Sequence, residues 1–359
     1  MMQDSVSEAR DLLVVKDLRV WFPLRRSITD LIYRRPRLFV KAVDGVTFSV
    51  KEGEIFALAG ESGCGKTTLG KTIIGLHKPT SGSILYRPSS KLSNLPEGMG
   101  AGANDGFVNI VALPDAVLRS LRKEIQMVWQ DPYGSLNPRR TILELLMEPL
   151  EIHQIGQTFS ERYELVSKIL EIVKLTPPEE FINRYPHMLS GGQRQRVVIA
   201  RALITQPRLV IADEPVSMLD VSIRAEILQL LLSLKARFNL TYIFITHDLA
   251  LARYISNRIA IMYLGKIVEL GRVHDVLSEP LHPYTRALIE AIPEPDPKRR
   301  LVLREIPIKG EVPSPINVPS GCRFHPRCPY AFELCKSEEP PMLEVSPEHY
   351  VACWLYAKR

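Results

Sequence analysis

The sequence predicts an α/β fold with a parallel sheet at its centre, and three patterns carry that prediction. The apolar run EIFALAG at 54–60 leads through a glycine-rich turn into the helical pattern LGKTIIGL at 69–76. Strand, tight loop and helix in that order open a parallel α/β unit. The runs LVIAD at 209–213 and TYIFIT at 241–246 are apolar almost without interruption, as strands covered on both faces are. Helical periodicity fills much of the remaining chain, over 142–204 and 226–238.

The elements follow in chain order. Residues 12–22, LLVVKDLRVWF, read as a strand, and Val40 to Val50 as another. Between them the basic stretch Arg25 to Arg37 shows little periodicity and reads as an exposed loop. Gly98, Gly100, Gly102 and Gly106 fall within 87–116, a segment poor in helix formers that reads as a flexible insertion in a peripheral β-hairpin. The helical region 142–204 contains ILELLMEPLEIH, SERYELVSKILEIVKL and GGQRQRVVIARALI. After Pro280 the texture changes: 14 of the 28 prolines lie between 280 and 347. That predicts a linker and a small loop-rich appendage rather than more of the sheet.

Composition narrows the function classes. At 359 residues, 45% hydrophobic and 24% charged, the chain has room for one large domain or one domain and a smaller one. Lys+Arg minus Asp+Glu is 46 − 40, a net charge of +6. The basic residues are scattered rather than clustered, so no nucleic-acid partner is expected. No apolar run approaches the roughly 18–20 residues that span a bilayer. The start, MMQDSVSEARD, lacks the basic-then-apolar pattern of a secretory signal. A protein kept in the cytoplasm is the expectation. Five cysteines in a chain this long do not make a disulfide framework.

Gly60-Glu61-Ser62-Gly63-Cys64-Gly65-Lys66-Thr67 fits G-x-x-x-x-G-K-[ST] in full. At average residue usage the pattern arises by chance in about one chain of this length in a hundred, and here it also falls between a strand and a helix. The glycines let the backbone curl its N–H groups toward phosphate oxygens. A helix opening near Thr68 adds the positive end of its dipole. Lys66 supplies an ammonium to the β- and γ-phosphates, and the Thr67 hydroxyl suits Mg²⁺. Cys64 reads first as a small residue at a tolerant loop position; the alternative is a thiol whose pKa the nearby N–H donors and Lys66 lower.

Three further features choose among phosphate-loop proteins. Ser190, Gly191, Gly192 and Gln193, in LSGGQRQR, form a second glycine-rich entrance to a helix and a second anion-binding surface. LVIADEP at 209–215 ends an apolar strand in two carboxylates, at the sheet edge where parallel α/β folds bind ligands. There Asp213 suits Mg²⁺ and Glu214 suits a general base on water. His247 follows TYIFIT, and Gln130 follows the apolar IQMVW. The first suits hydrogen bonding to a γ-phosphate, and the second suits Mg²⁺ or water.

Together these residues resemble the nucleotide-binding subunits of ABC transporters, over residues 12 to about 275. The resemblance implies Walker A at 60–67, the Q-loop at Gln130, the LSGGQ signature at 189–193 and Walker B at 209–214. It further implies the D-loop Ser217-Met218-Leu219-Asp220, a switch histidine at His247 and an adenine-stacking aromatic, for which Phe22 is favoured over Trp21. The implied fold is a RecA-like parallel-sheet core with an antiparallel β subdomain and a helical signature subdomain at about 131–204, together spanning 12–278. Two such subunits would pack head to tail, clamping ATP and Mg²⁺ between the Walker A loop of one and the signature of the other. Lys66, Glu214 and His247 would carry the catalysis.

The end of the chain resembles, more narrowly, the C-terminal extension of the oligopeptide/dipeptide/nickel importers, through EPLHPYTRALIEAIPEPDP at 279–297 and GEVPSPINVPSGCRFHPRCPYAFELC at 310–335. This makes 279–359 a second region. Cys322, Cys328, Cys335 and Cys353 lie in it with gaps C-x5-C-x6-C-x17-C. Four thiols without a disulfide-permissive compartment point to a metal, and the gaps lack the C-x2-C pairs of structural zinc. The resemblance places a [4Fe–4S] cluster there, with zinc as second choice. It implies a peripheral ATPase on the cytoplasmic face of the membrane, serving peptides or related solutes. Its partners would be a second ATPase subunit, two membrane permeases docked near 131–141 and, indirectly, an extracellular solute-binding protein. Two rivals are a soluble ABC ATPase of DNA repair or translation and a non-catalytic metal-binding scaffold. The single motif set and the lack of sustained heptads between 68 and 188 argue against the first, and intact Glu214 and His247 against the second.

Overall fold

Residues 10–26, 33, 36–89, 106–292, 308 and 310–357 are described by the computed structural model. Most of the basic stretch at 25–37 and of the glycine-rich insertion at 87–116, and the prolines at 293–307, lie outside the described residues. The strands are β1 (Asp11–Pro23), β2 (Phe39–Lys51), β3 (Ile55–Ala59), β4 (Ser81–Tyr86), β5 (Val108–Asn109), β6 (Ile125–Val128), β7 (Leu209–Asp213), β8 (Thr241–Thr246), β9 (Arg258–Tyr263), β10 (Lys266–Arg272), β11 (Leu343–Ser346) and β12 (His349–Val351). The main helices are α1 (Lys66–Ile73), α2 (Asp115–Leu121), α3 (Ile142–Ile152), α4 (Phe159–Ile172), α5 (Gly191–Leu203), α6 (Val221–Phe238), α7 (Leu249–Ile255), α8 (Val273–Ser278), α9 (Pro283–Glu290) and α10 (Glu333–Ser337).

The chain forms two compact units. The first takes the described residues of Met1–Leu13, Val50–Ile55 and Leu85–Phe244. Here β6 and β7 pair in parallel, Ile125 with Leu209 through Val128 with Ala212, and every residue of β7 is buried. Leu85 and Tyr86 pair antiparallel with Asn109 and Val108, so a hairpin brackets the glycine-rich insertion. The helices are capped locally. Thr141 Oγ accepts the Glu144 N–H at 3.3 Å, and the Glu144 carboxylate accepts the Thr141 N–H at 2.7 Å, a capping box that satisfies two end-of-helix donors. Buried Leu146 and Leu150 on α3, Val166, Ile169 and Leu170 on α4, and Val198 and Ala202 on α5 follow the i, i+3, i+4 spacing of core-facing helices.

The second unit takes Val14–Ser49, Phe56–Ile84 and the described residues of Ile245–Arg359. Its main sheet runs β11-β12-β10-β9-β3, with β3 and β9 parallel from Phe56–Arg258 to Ala59–Ile261. A second sheet places β1 between β2 and β4. Here the expectation of a tail standing apart from the sheet is overturned, because β12 pairs antiparallel with β10 and β11 with β12. Glu269 of β10 explains the docking. Its carboxylate, fully buried, accepts the Leu281 and His282 N–H groups at 2.8 and 2.9 Å and meets His349 Nε2 at 2.8 Å. A buried carboxylate requires such partners, and these come from the HPYT turn and from β12. Tyr284 and Phe324 bury their rings beside Tyr263 of β9, so the tail shares the core of this unit.

Candidate functional site

In the second unit the buried β3 delivers the chain to the phosphate loop. Gly60 (φ +149°) and Gly65 (φ +108°) lie so close to neighbouring backbone that an added Cβ would sit 2.2 Å from the Met262 carbonyl and 2.0 Å from the Ala42 carbonyl; only glycine fits both. α1 begins at Lys66 behind Gly65, with no side chain capping it, which leaves this end suited to an anion. The buried Lys66 ammonium donates to the carbonyls of Gly60 and Glu61 at 2.7 and 2.9 Å. Ser62 and Gly63 are exposed at the tip, and Thr67 and Thr68 are half-buried in the first turn of α1. The Glu61 N–H donates to Tyr284 Oη at 2.9 Å, and its carboxylate takes two N–H groups of Arg327 at 3.0 and 3.2 Å. Sequence reasoning missed both partners.

For Cys64 the structure agrees with the plain reading of a small, unreactive residue. Burial raises its thiol pKa and outweighs the opposing pull of Lys66, so the thiol is neutral rather than activated. At the end of β1, Trp21 and Phe22 part company. The Trp21 indole N–H donates to Asp44 at 3.0 Å under the Lys41 ammonium, 4.9 Å from the ring centroid. Phe22 stays 37% exposed, its ring edge-on to His77 at 5.2 Å. His247, exposed, sits between the end of β8 and Asp248, which caps α7 by accepting from Ala250 and Leu251 at 2.9 and 3.2 Å.

The first unit holds the carboxylates and the signature. Because Val128 pairs with Ala212 in parallel register, Gln130 and Glu214 leave β6 and β7 at matching positions. The Gln130 amide donates to the Glu214 carboxylate at 3.1 Å. Asp213 is 2% exposed. Glu214 has φ +44°, rare for a residue with a side chain, in a turn where the Ser217 N–H and Oγ both reach its carbonyl at 3.1 Å. Ser190 caps α5: its hydroxyl accepts the Gln193 N–H at 3.3 Å, and the Gln193 side chain accepts the Ser190 N–H at 3.0 Å. Gly191 and Gly192 form the first turn. Asp220 precedes α6, and Arg224 holds this loop through the Leu219 and Ser217 carbonyls at 2.7 and 3.4 Å.

The four tail cysteines gather in the second unit without a disulfide. The Cys322 N–H donates to the Cys335 carbonyl at 2.8 Å. The Cys322 thiol is pushed up to about 12, first by burial and then also by Cys353, Cys335 and Cys328. The Cys353 thiol is pushed up to about 11, again first by burial. Four convergent thiols are the donor chemistry of a thiolate-bound metal. As arranged, however, among the described residues no group of three or more His, Cys, Asp and Glu is placed to hold a metal ion.

Comparisons with known proteins agree with this geometry. The family model described as "ABC transporter" matches residues 43–217, and "Oligopeptide/dipeptide transporter, C-terminal region" matches 268–335. The oligopeptide transport ATP-binding protein AppF of Bacillus subtilis (strain 168) is 48% identical over 347 residues, covering 96% of this chain and 98% of AppF. The ATP-binding cassette MJ0796, solved as a dimer in a post-hydrolysis state bound to ADP and Pi, is 29% identical. That match has a TM-score of 0.58 and covers 73% of this chain and 99% of the cassette. CbiO1 from Clostridium perfringens, part of the transporter complex cbiONQ, is 25% identical with a TM-score of 0.58, over 75% of this chain and 92% of its own. A glycine-locked phosphate loop, a strand-end carboxylate pair, a capped LSGGQ helix and a relative matched along nearly its whole length lead to one conclusion: the chain is an ATP-binding subunit of the ABC transporters, in the oligopeptide/dipeptide branch.

Proposed function

We propose that this chain hydrolyses ATP to drive the import of oligopeptides or dipeptides through two separate permease subunits. Lys66 and the loop N–H groups hold the β- and γ-phosphates, and Thr67, Gln130 and Asp213 would hold Mg²⁺, which would supply charge stabilisation to the phosphates. Glu214 accepts the proton of the attacking water, His247 steadies the γ-phosphate, and Phe22 stacks on adenine. Ser190, Gly191, Gly192 and Gln193, with Asp220, serve the nucleotide held by the phosphate loop of a second ATPase subunit. MJ0796, solved as a dimer, supports that pairing. No helix among the described residues is long and apolar enough to cross a membrane, which supports separate permeases. A cavity of about 560 Å³ in the first unit, lined by Trp129, Ser135, Leu136, Ile152 and Arg201 among others, suits a permease helix docking beside 131–141. Peptide as cargo follows AppF, an oligopeptide transport ATP-binding protein; an extracellular solute-binding protein that delivers the peptide is a further part of the proposal.

The observation that carries the reading is the buried Lys66 ammonium drawn into the curl of the loop. Lys66→Met is expected to lower steady-state ATPase activity at least about 100-fold, the scale of losing one preorganised charge from a transition state. Wild-type turnover in that variant would contradict the assignment.

The finer reading of the tail is that its four cysteines hold a [4Fe–4S] cluster, or failing that zinc, cross-linking Cys322, Cys328, Cys335 and Cys353. The nearness of Cys328, Cys335 and Cys353 to Cys322 and the burial of Cys335 and Cys353 support it, and the thiols would have to shift to meet one metal centre. The raised thiols must lose protons to bind metal, so uptake strengthens as pH rises. Anaerobically purified protein is expected to show visible thiolate-to-iron absorbance and bound iron; metal-free protein with four titratable tail thiols would end this reading.

A further inference from the structure

We propose that Arg327 and Glu61 form a charge pair that sets the nucleotide affinity of the phosphate loop. The C-terminal extension would then supply the charge that neutralises a carboxylate in a loop 266 positions earlier in the sequence. This rests on the reading that Gly60–Thr67 binds ATP.

Glu61 is the second residue of the loop, and the tail grips it twice. Tyr284 takes its backbone N–H at 2.9 Å, and Arg327 takes its carboxylate through two parallel bonds of 3.0 and 3.2 Å. A bidentate fork fixes direction as well as distance. The carbonyl of the same residue accepts from the Lys66 ammonium at 2.9 Å, so the gripped residue touches the phosphate-binding lysine. Arg327 is built in rather than draped over the surface: its side chain is 9% exposed. Its guanidinium lies 5.8 and 5.9 Å from the ring centroids of Tyr263 and Phe324. The N–H groups of Arg327 and Cys328 both donate to the Phe324 carbonyl, at 2.9 and 3.0 Å. One turn therefore places the arginine and a cysteine of the four-thiol group.

The electrostatic consequence has a definite sign. Together the two groups add no net charge beside a loop that attracts a triphosphate. Without Arg327, a bare carboxylate remains there and repels the ligand. Without the Glu61 charge, a bare guanidinium remains and attracts it. A unit charge about 12 Å from a phosphate, at an effective dielectric constant of about 20, changes affinity by about tenfold, less as salt screens it.

The test is an equilibrium titration of the full-length chain with Mg-ATP at low and moderate salt. Arg327→Met is expected to weaken binding about tenfold and Glu61→Gln to tighten it by a similar factor. The double variant should return close to wild type, and the single shifts should shrink as salt rises. An arginine that only holds the tail in place predicts otherwise: the double variant would be no better than Arg327→Met, with little response to salt. That result, or a Glu61→Gln affinity equal to wild type, overturns the proposal. Should Arg327→Met fail to fold, Glu61→Gln still decides, and Arg327→Lys, which gives up the fork but keeps the charge, should bind within a few-fold of wild type. Failure of the wild-type chain to bind Mg-ATP would instead defeat the site assignment on which the pair depends.

Discussion

Glu214→Gln is expected to reduce steady-state ATP hydrolysis by about 10²- to 10⁴-fold, the usual contribution of a positioned general base, while ATP still binds. The geometry makes the substitution clean. Glu214 lies just past the end of the buried strand β7, in a left-handed turn closed by Ser217, with its carboxylate met by the Gln130 amide at 3.1 Å. Glutamine is isosteric and keeps an oxygen to accept from Gln130, so what is removed is the proton-accepting charge. If binding closes a pair of subunits and hydrolysis reopens them, the variant accumulates as an ATP-loaded dimer. Size-exclusion chromatography with and without Mg-ATP reads this directly. Turnover within a few-fold of wild type would remove Glu214 from the chemistry.

Glu269→Ala should lower the stability of the second unit by about 3–5 kcal/mol, the cost of breaking a buried, hydrogen-bonded charged group. The carboxylate is fully buried and serves the Leu281 and His282 N–H groups and the His349 ring. Truncation strands all three. Glu269→Gln preserves one acceptor oxygen and should lose roughly half as much. Urea denaturation followed by tryptophan fluorescence in a Trp129→Phe background, where Trp21 and Trp354 of the second unit report, measures both, and a midpoint unchanged in Glu269→Ala would show that the tail is held by its aromatic contacts alone.

Legibility in the sequence followed the range of the interactions. LVIAD and TYIFIT announce buried strands because their periodicity is local, and both are strands in which every residue is buried. The phosphate loop is legible because Gly60 and Gly65 are required by backbone crowding that no other residue tolerates. Ser190 and Gln193 declare their capping box three residues apart. The tail strands stayed hidden because LEVS and HYV are too short to show alternation. What seats them is Glu269, whose contact with His349 spans 80 positions. Gln130 and Glu214, 84 positions apart, are both visible as candidates, but only the β6–β7 register shows that they meet. Arg327 resembled any basic residue of a proline-rich segment until its fork on Glu61 appeared. Cys64 shows competition between two local effects: Lys66 lies near enough to acidify it, but burial is stronger.

The most direct test of the account is a structure of the Glu214→Gln variant with Mg-ATP bound. It should show two chains related by a two-fold axis, with each γ-phosphate touched by Lys66 of one chain and by the partner's Ser190. A nucleotide whose γ-phosphate meets Lys66 and Ser190 of the same chain, or no second chain at all, would contradict it.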